Sequence, residues 1–224
     1  MSKATESYEK LGLYISNGDF TFDISKGPTI EEFEKELATP EKRPIEKTTL
    51  VAKCVHNTEK HFPLKYKKNG ELAKIQRECF NFDDEDYDGK KVDYVSLDPY
   101  WTDEDNEWLY CLAYNRYIMK IGMTITSLHG RFVSYSCGTV RAMKKGSCST
   151  TNFIISECNS LALEKGCEVE IYGIALPKKT VVESSWGETT EISVSIARDM
   201  EKKLTNIFTK TYGYKPVLCV QEGK

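Results

Sequence analysis

From Trp108 onward the chain alternates. Trp108, Tyr110, Leu112 and Tyr114 occupy every second position among Leu109, Cys111 and Ala113, and after Asn115-Arg116 the run Tyr117-Ile118-Met119-Lys120-Ile121 alternates again. A period of two in two runs joined by two residues predicts a hairpin, with Gly122 closing its second strand. Thr126 or Ser127 then offers an oxygen to the first free N–H groups of a helix. In that helix Leu128, Arg131, Phe132 and Tyr135 follow helical spacing, which sets Arg131 and Tyr135 one turn apart on one face.

Elsewhere the pattern switches between helix and strand. Residues 30–37 carry apolar positions at helical spacing and precede a charged, proline-bearing stretch, 39–44, that reads as a linker. Residues 49–55 read as a strand, and Asn69-Gly70 between two runs in 63–72 predicts a second hairpin. Residues 83–107 are acidic and read as solvated loops around a strand at 92–97. One of Ser149, Thr150, Thr151 and Asn152 caps a helix that carries Phe153, Ile154, Leu161 and Ala162 on its apolar side and stops at Gly166. A strand over 168–176 and a long loop containing Trp186-Gly187 follow. The last helix, 193–211, bears the stripe Ile196, Met200, Leu204, Ile207 and Phe208, with Glu201 beside it. Helices mixed with hairpins place the chain in the α+β class.

Composition adds limits. At 224 residues and 40% hydrophobic content the chain has enough apolar surface for one large domain or two small ones. Its start lacks the apolar run of a signal peptide, and no stretch approaches the roughly 18 apolar residues of a membrane span, so a cytoplasmic location without membrane attachment is expected. Eight cysteines are scattered without CxxC pairs, and disulfides are not expected. The net charge of −3 hides a split: residues 1–107 hold 16 Lys+Arg against 24 Asp+Glu, whereas residues 108–224 hold 15 against 10. The second half is therefore the candidate for nucleic acid, because Lys and Arg neutralise phosphate.

Trp108-Leu109-Tyr110, then Lys120-Ile121-Gly122, then Arg131 in the following helix resemble the motifs of the GIY-YIG nucleases in degenerate form. Lysine stands where the second motif usually has tyrosine, as in some small type II restriction endonucleases of that class. The likeness extends through Tyr135-Ser136-Cys137-Gly138, Cys148-Ser149-Thr150-Thr151-Asn152, and Glu201 before Lys215-Pro216, and covers about residues 108–221. It implies a core of a small, mainly antiparallel three-stranded sheet flanked by helices at 108–224. An additional acidic α/β region at 1–107 would supply dimer contacts or auxiliary DNA contacts.

The resemblance also implies chemistry. Tyr110 matches the tyrosine that lies near the attacking water, with a buried aromatic on a strand as the plain alternative. Lys120 would lower the proton affinity of Tyr110 or contact phosphate, where an exposed strand lysine is otherwise solubilising. Arg131 would grip the scissile phosphate through its planar fork, although an isolated helix arginine is more often a surface residue. Tyr135 would bond the same phosphate or pack on the sheet. Glu201 matches the metal-binding glutamate, a single carboxylate being a common way to hold Mg²⁺ or Mn²⁺, against the ordinary reading of a solvated helix residue. Arg198, one turn earlier, would steady it or touch DNA.

One position departs from the pattern. Met123 stands where the small restriction endonucleases of that class often carry histidine, and His129 differs from Arg131 by about 200° of helical phase, which makes it a poor substitute. Two further constellations fail on their own spacing. Asp84, Asp86, Asp88 and Gly89 imitate the start of a calcium loop whose twelfth position is Val95. Cys54, His56, His61 and Cys79 lack a standard zinc spacing. Residues 149–152 are a helix cap or a phosphate contact.

The expectation is a double-stranded DNA endonuclease that is sequence-specific, acts as a homodimer with one metal ion per site, and has a possible companion methyltransferase acting on the same sequence. A phage-type degradative nuclease and a non-catalytic DNA-binding protein are the alternatives.

Overall fold

The computed structural model describes residues 3–38, 48–56 and 91–219. The expected linker at 39–44, the Asn-Gly hairpin at 63–72, the acidic stretch 83–89 with its calcium-like pattern, and His61 and Cys79 lie outside the described residues. In chain order the elements are α1 (Lys3–Gly12), β1 (Ile15–Ser16), β2 (Asp19–Phe20), α2 (Ile30–Leu37), β3 (Thr49–His56), β4 (Val92–Ser96), β5 (Asn106–Tyr114), β6 (Tyr117–Thr124), α3 (Leu128–Ser136), α4 (Val140–Lys144), α5 (Thr150–Glu164), β7 (Val169–Pro177), β8 (Lys179–Ser185), β9 (Glu188–Val194) and α6 (Ala197–Tyr212). Among the described residues no helix is long and apolar enough to cross a membrane.

The fold is α+β. Five strands form a mainly antiparallel sheet in the order β4-β3-β7-β5-β6. The expected three-stranded core is the adjacent set β7-β5-β6, and β3 and β4 from the first half of the chain extend it to five, so the open edge of β7 is covered.

Two compact units emerge, each drawing on both sides of position 107: residues 1–23, 54–95 and 132–169 in one, and 24–53, 96–131 and 170–224 in the other.

In the second unit, Leu109, Cys111 and Ala113 of β5 and Ile118 and Ile121 of β6 share a buried cluster with Ile30, Phe33 and Leu37 of α2 and Ala197, Leu204 and Phe208 of α6. Phe33 and Phe208 meet edge to face at 5.5 Å, a geometry favoured by the ring quadrupoles. Helix α2 begins where the spacing places it because Thr29 and Glu32 form a reciprocal capping box. Strand β5 is buried on both faces from Glu107 to Tyr114, as suits an interior strand.

The first unit is organised around α5. Ser149, of the four candidates, caps it by accepting from Asn152 N at 3.1 Å. No solvent face remains between Phe153 and Ala162, and Glu157 and Asn159 are buried with the apolar residues. Glu157 pairs with Lys91, which is also buried. Helix α4, capped by Thr139, and helix α1 were not apparent from periodicity.

Two expectations are corrected. Gly122 lies inside β6, which continues to Thr124, because its partner across the ladder is Tyr110 and the pairing carries on past it. The long loop around Trp186-Gly187 is a hairpin of β8 and β9 in full register from Lys179–Val194 to Ser185–Glu188. Trp186 and Gly187 both have positive φ, 53° and 84°, the backbone of the two-residue turn that matches strand twist. Strand β9 thereby takes residues to 194, and α6 starts at Ala197 rather than 193.

Candidate active site

The β5–β6 ladder forms the floor. Tyr110 is paired with Gly122, and Leu112 with Lys120, so Tyr110 and Lys120 project from the same face. The tyrosine ring lies across Gly122: a Cβ there would stand 2.4 Å from both Cζ and Oη of Tyr110, closer than any packed carbon approaches. Only glycine admits the ring in this orientation.

Helix α3 supplies the guanidinium. Ser127, the one of the two candidate caps that is used, accepts from Gly130 N at 3.2 Å, and the first turn then presents Arg131. Its Nε donates to Tyr110 Oη at 3.5 Å. Tyr110 is buried, whereas Arg131 is partly exposed. The phenol thus forms the base of the site and the guanidinium its reachable rim.

Lys120 is 8% exposed, and its Nζ donates to the Leu218 carbonyl at 3.4 Å. A backbone oxygen partners the ammonium without neutralising it.

Glu201 arrives on α6, and a residue that periodicity did not single out holds that helix in place. Ile196, at the helix N-terminus, makes no side-chain cap. The carboxylate of Glu107 on β5 takes over, its Oε2 accepting from Ile196 N at 3.0 Å and Ala197 N at 2.9 Å. An anion at the positive end of a helix satisfies two orphan donors and anchors α6 to β5 one turn before Glu201. The available signal was a glutamate opening an otherwise apolar strand. Burial pushes the Glu201 carboxyl above its ordinary value, and Lys120, Arg131, Arg198 and Lys202 draw it back down. Lys120 and Arg131 are therefore within electrostatic reach of Glu201, and with Tyr110 bonded to Arg131 four of the expected groups share one neighbourhood. Arg198 is exposed and belongs to the same field.

Other expected residues are placed differently. Tyr135 is fully buried in the first unit, its ring edge-on to Phe132 at 5.4 Å. His129 is exposed and sits against Trp101 at 6.0 Å, and Met123 packs on the apolar cluster of the second unit. Asn152 ties α5 to α3 by donating from Nδ2 to Ser134 O at 3.1 Å. Among the described residues no three His, Cys, Asp or Glu side chains group as a metal cluster. Any ion here would take one protein carboxylate, Glu201, and complete its shell with water and phosphate oxygens, the donor set Mg²⁺ accepts. A half-buried carboxylate whose charged form is penalised by desolvation suits that role, since a cation relieves the penalty.

No family model matches the chain, and no curated protein matches it. Among solved structures, the restriction endonuclease HPY188I in complex with product DNA aligns with a TM-score of 0.49 at 22% identity, over 95% of this chain and 95% of that chain. A mutant of bacteriophage T4 EndoII aligns with a TM-score of 0.30 at 24% identity, over 47% of this chain and 67% of that chain. Superpositions this loose establish no activity, and the chemistry of the site stands on its own residues.

Proposed function

We propose that this chain is a metal-dependent DNA endonuclease that hydrolyses phosphodiester bonds at the site formed by Tyr110, Lys120, Arg131 and Glu201. The observation that carries the reading is the convergence of a phenol, two cations and a half-buried carboxylate from β5, β6, α3 and α6, residues up to 91 positions apart in sequence. Packing alone gives no reason to gather these groups.

Each group has work to do in the reaction. Arg131, reachable from solvent, would take the scissile phosphate through two parallel N–H donors and offset the charge that builds on it. Tyr110 Oη, already receiving Arg131 Nε–H, lies beside that phosphate and would accept the proton of the attacking water, directly or through a neighbour. The water oxygen bonds to phosphorus as the bond to the 3′ oxygen breaks, and that oxygen takes up a proton. Lys120 extends from the same face as Tyr110 and acts electrostatically on Glu201. Glu201 would hold one Mg²⁺ or Mn²⁺, which supplies charge compensation for the departing oxygen. Tyr135 is proposed as a support of the Arg131 helix through its packing on Phe132.

Sequence specificity, a homodimer that cuts both strands of a twofold target, and a methyltransferase partner belong to the same proposal and follow from the motif resemblance and the symmetry of such cuts. The test is incubation of supercoiled plasmid with the purified chain in Mg²⁺ or Mn²⁺. Discrete fragments support a restriction-like enzyme, and a smear supports a degradative one. DNA binding without nicks or breaks on varied substrates would refute the nuclease. Glu201→Gln is expected to keep most DNA affinity and lose hydrolysis by orders of magnitude, and full activity in that variant would remove the metal assignment.

A further inference from the structure

Strand β6 ends the five-stranded order; the start of its outer edge meets the segment before α2, where Thr29 bridges Tyr117 and Ile118 N donates to Pro28 O at 2.9 Å, and among the described residues no further strand of the sheet pairs with the rest. Open edges of this kind are usually covered. From Met119 onward the cover is the segment that follows α6. The helix ends at Gly213 in the left-handed region, φ 82°, which turns the chain back, and Tyr214 Oη donates to Lys26 O at 3.2 Å. Residues 216–219 then close a four-residue turn through Cys219 N donating to Pro216 O at 2.9 Å. Leu218 N donates to Met119 O at 2.8 Å, and Cys219 Sγ donates to Ile121 O at 3.5 Å. The turn therefore grips β6 on both sides of Lys120.

The same turn meets the lysine itself. Leu218 O accepts from Lys120 Nζ, and the Leu218 side chain is fully buried, which fixes the carbonyl in place. A lysine side chain has four rotatable bonds and loses rotamer freedom when held. A fixed neutral acceptor supplies that restraint and leaves the ammonium charge intact for Glu201 and Tyr110. A carboxylate acceptor would hold the side chain and cancel its field.

We infer that the turn at 216–219 is part of the active site, with Leu218 as the residue that positions Lys120. This rests on the reading that Lys120 serves phosphodiester hydrolysis. The variant Leu218→Gly removes the buried anchor and loosens the carbonyl, and Leu218→Met conserves the volume. The prediction is a kcat lowered about tenfold to a hundredfold in Leu218→Gly, with KM for plasmid DNA nearly unchanged and Leu218→Met close to the original chain. In a Lys120→Met background, Leu218→Gly should cost no further rate, because the group it positions is gone. Losses that add in that background, or an unchanged kcat, would overturn the inference. If Leu218→Gly does not fold, the same cycle with Cys219→Ala decides, a smaller loss coupled to Lys120 being expected and an uncoupled one counting against it. An unaltered chain that cuts no DNA overturns the nuclease reading and this inference with it, whereas cutting with uncoupled losses overturns this inference alone.

Discussion

The ring of Tyr110 rests on the backbone of Gly122, its partner across the β5–β6 ladder, at a distance that leaves no room for a methyl group. Tyr110 in turn receives the Arg131 Nε–H. One hydrogen atom in place of a side chain therefore sets the position of the phenol and its register against the guanidinium. Gly122→Ala should displace the ring, cost about 1–3 kcal/mol as overpacking does, and lower the cleavage rate by more than the stability loss explains. Chemical denaturation together with single-turnover cleavage checks this. An alanine variant with the original rate would show that the close approach has no role in catalysis.

The acid limb of the cleavage profile should lie above the ordinary carboxylate value of 4.5, because burial raises the Glu201 carboxyl. The protonated acid cannot hold a cation, so activity is lost as pH falls through the raised value and is complete above it. Arg198 is exposed and is among the charges that lower this group. Arg198→Gln should move the limb to higher pH by a small amount, since solvent screens an exposed charge. Rates measured from acid to neutral pH at metal concentrations well below saturation, where the ion does not displace the proton, give the answer, and a limb moved to lower pH would contradict the sign.

Three tryptophans report on the β8–β9 hairpin. Trp101 and Trp108 are each 2% exposed, whereas Trp186 at the hairpin turn is 102% exposed. Iodide should quench one fraction of the emission and leave the rest shielded, and Trp186→Phe should abolish the quenchable fraction with little effect on stability. Persistent quenching in that variant would mean that a second indole reaches solvent.

Lys91 and Glu157 are paired out of contact with water. Glu157→Ala leaves the ammonium buried without its counter-charge and should destabilise by about 3–5 kcal/mol. The double change Lys91→Met with Glu157→Leu should recover most of that loss, because apolar side chains of similar volume carry no desolvation penalty. Urea unfolding of the three chains decides the matter, and an equal loss in single and double variants would assign the cost to packing instead.

Local signals were legible in the chain itself. Periodicity and caps located α2, β3, the β5–β6 hairpin, α5 and most of α6, since apolar spacing and first-turn hydroxyls act over a few residues. The motif order brought Tyr110, Lys120, Arg131 and Glu201 to attention as separate positions. Folding decided the rest, because it depends on groups distant in sequence. Glu107 became the anchor of α6 only when β5 met that helix. Leu218 became the partner of Lys120 only when the chain turned back along an open strand edge. Glycine at 122 reads as the end of a strand until a ring from the opposite strand lies over it. Burial on both faces of β5 and all around α5 is likewise set by what packs against them, which no spacing within the element records.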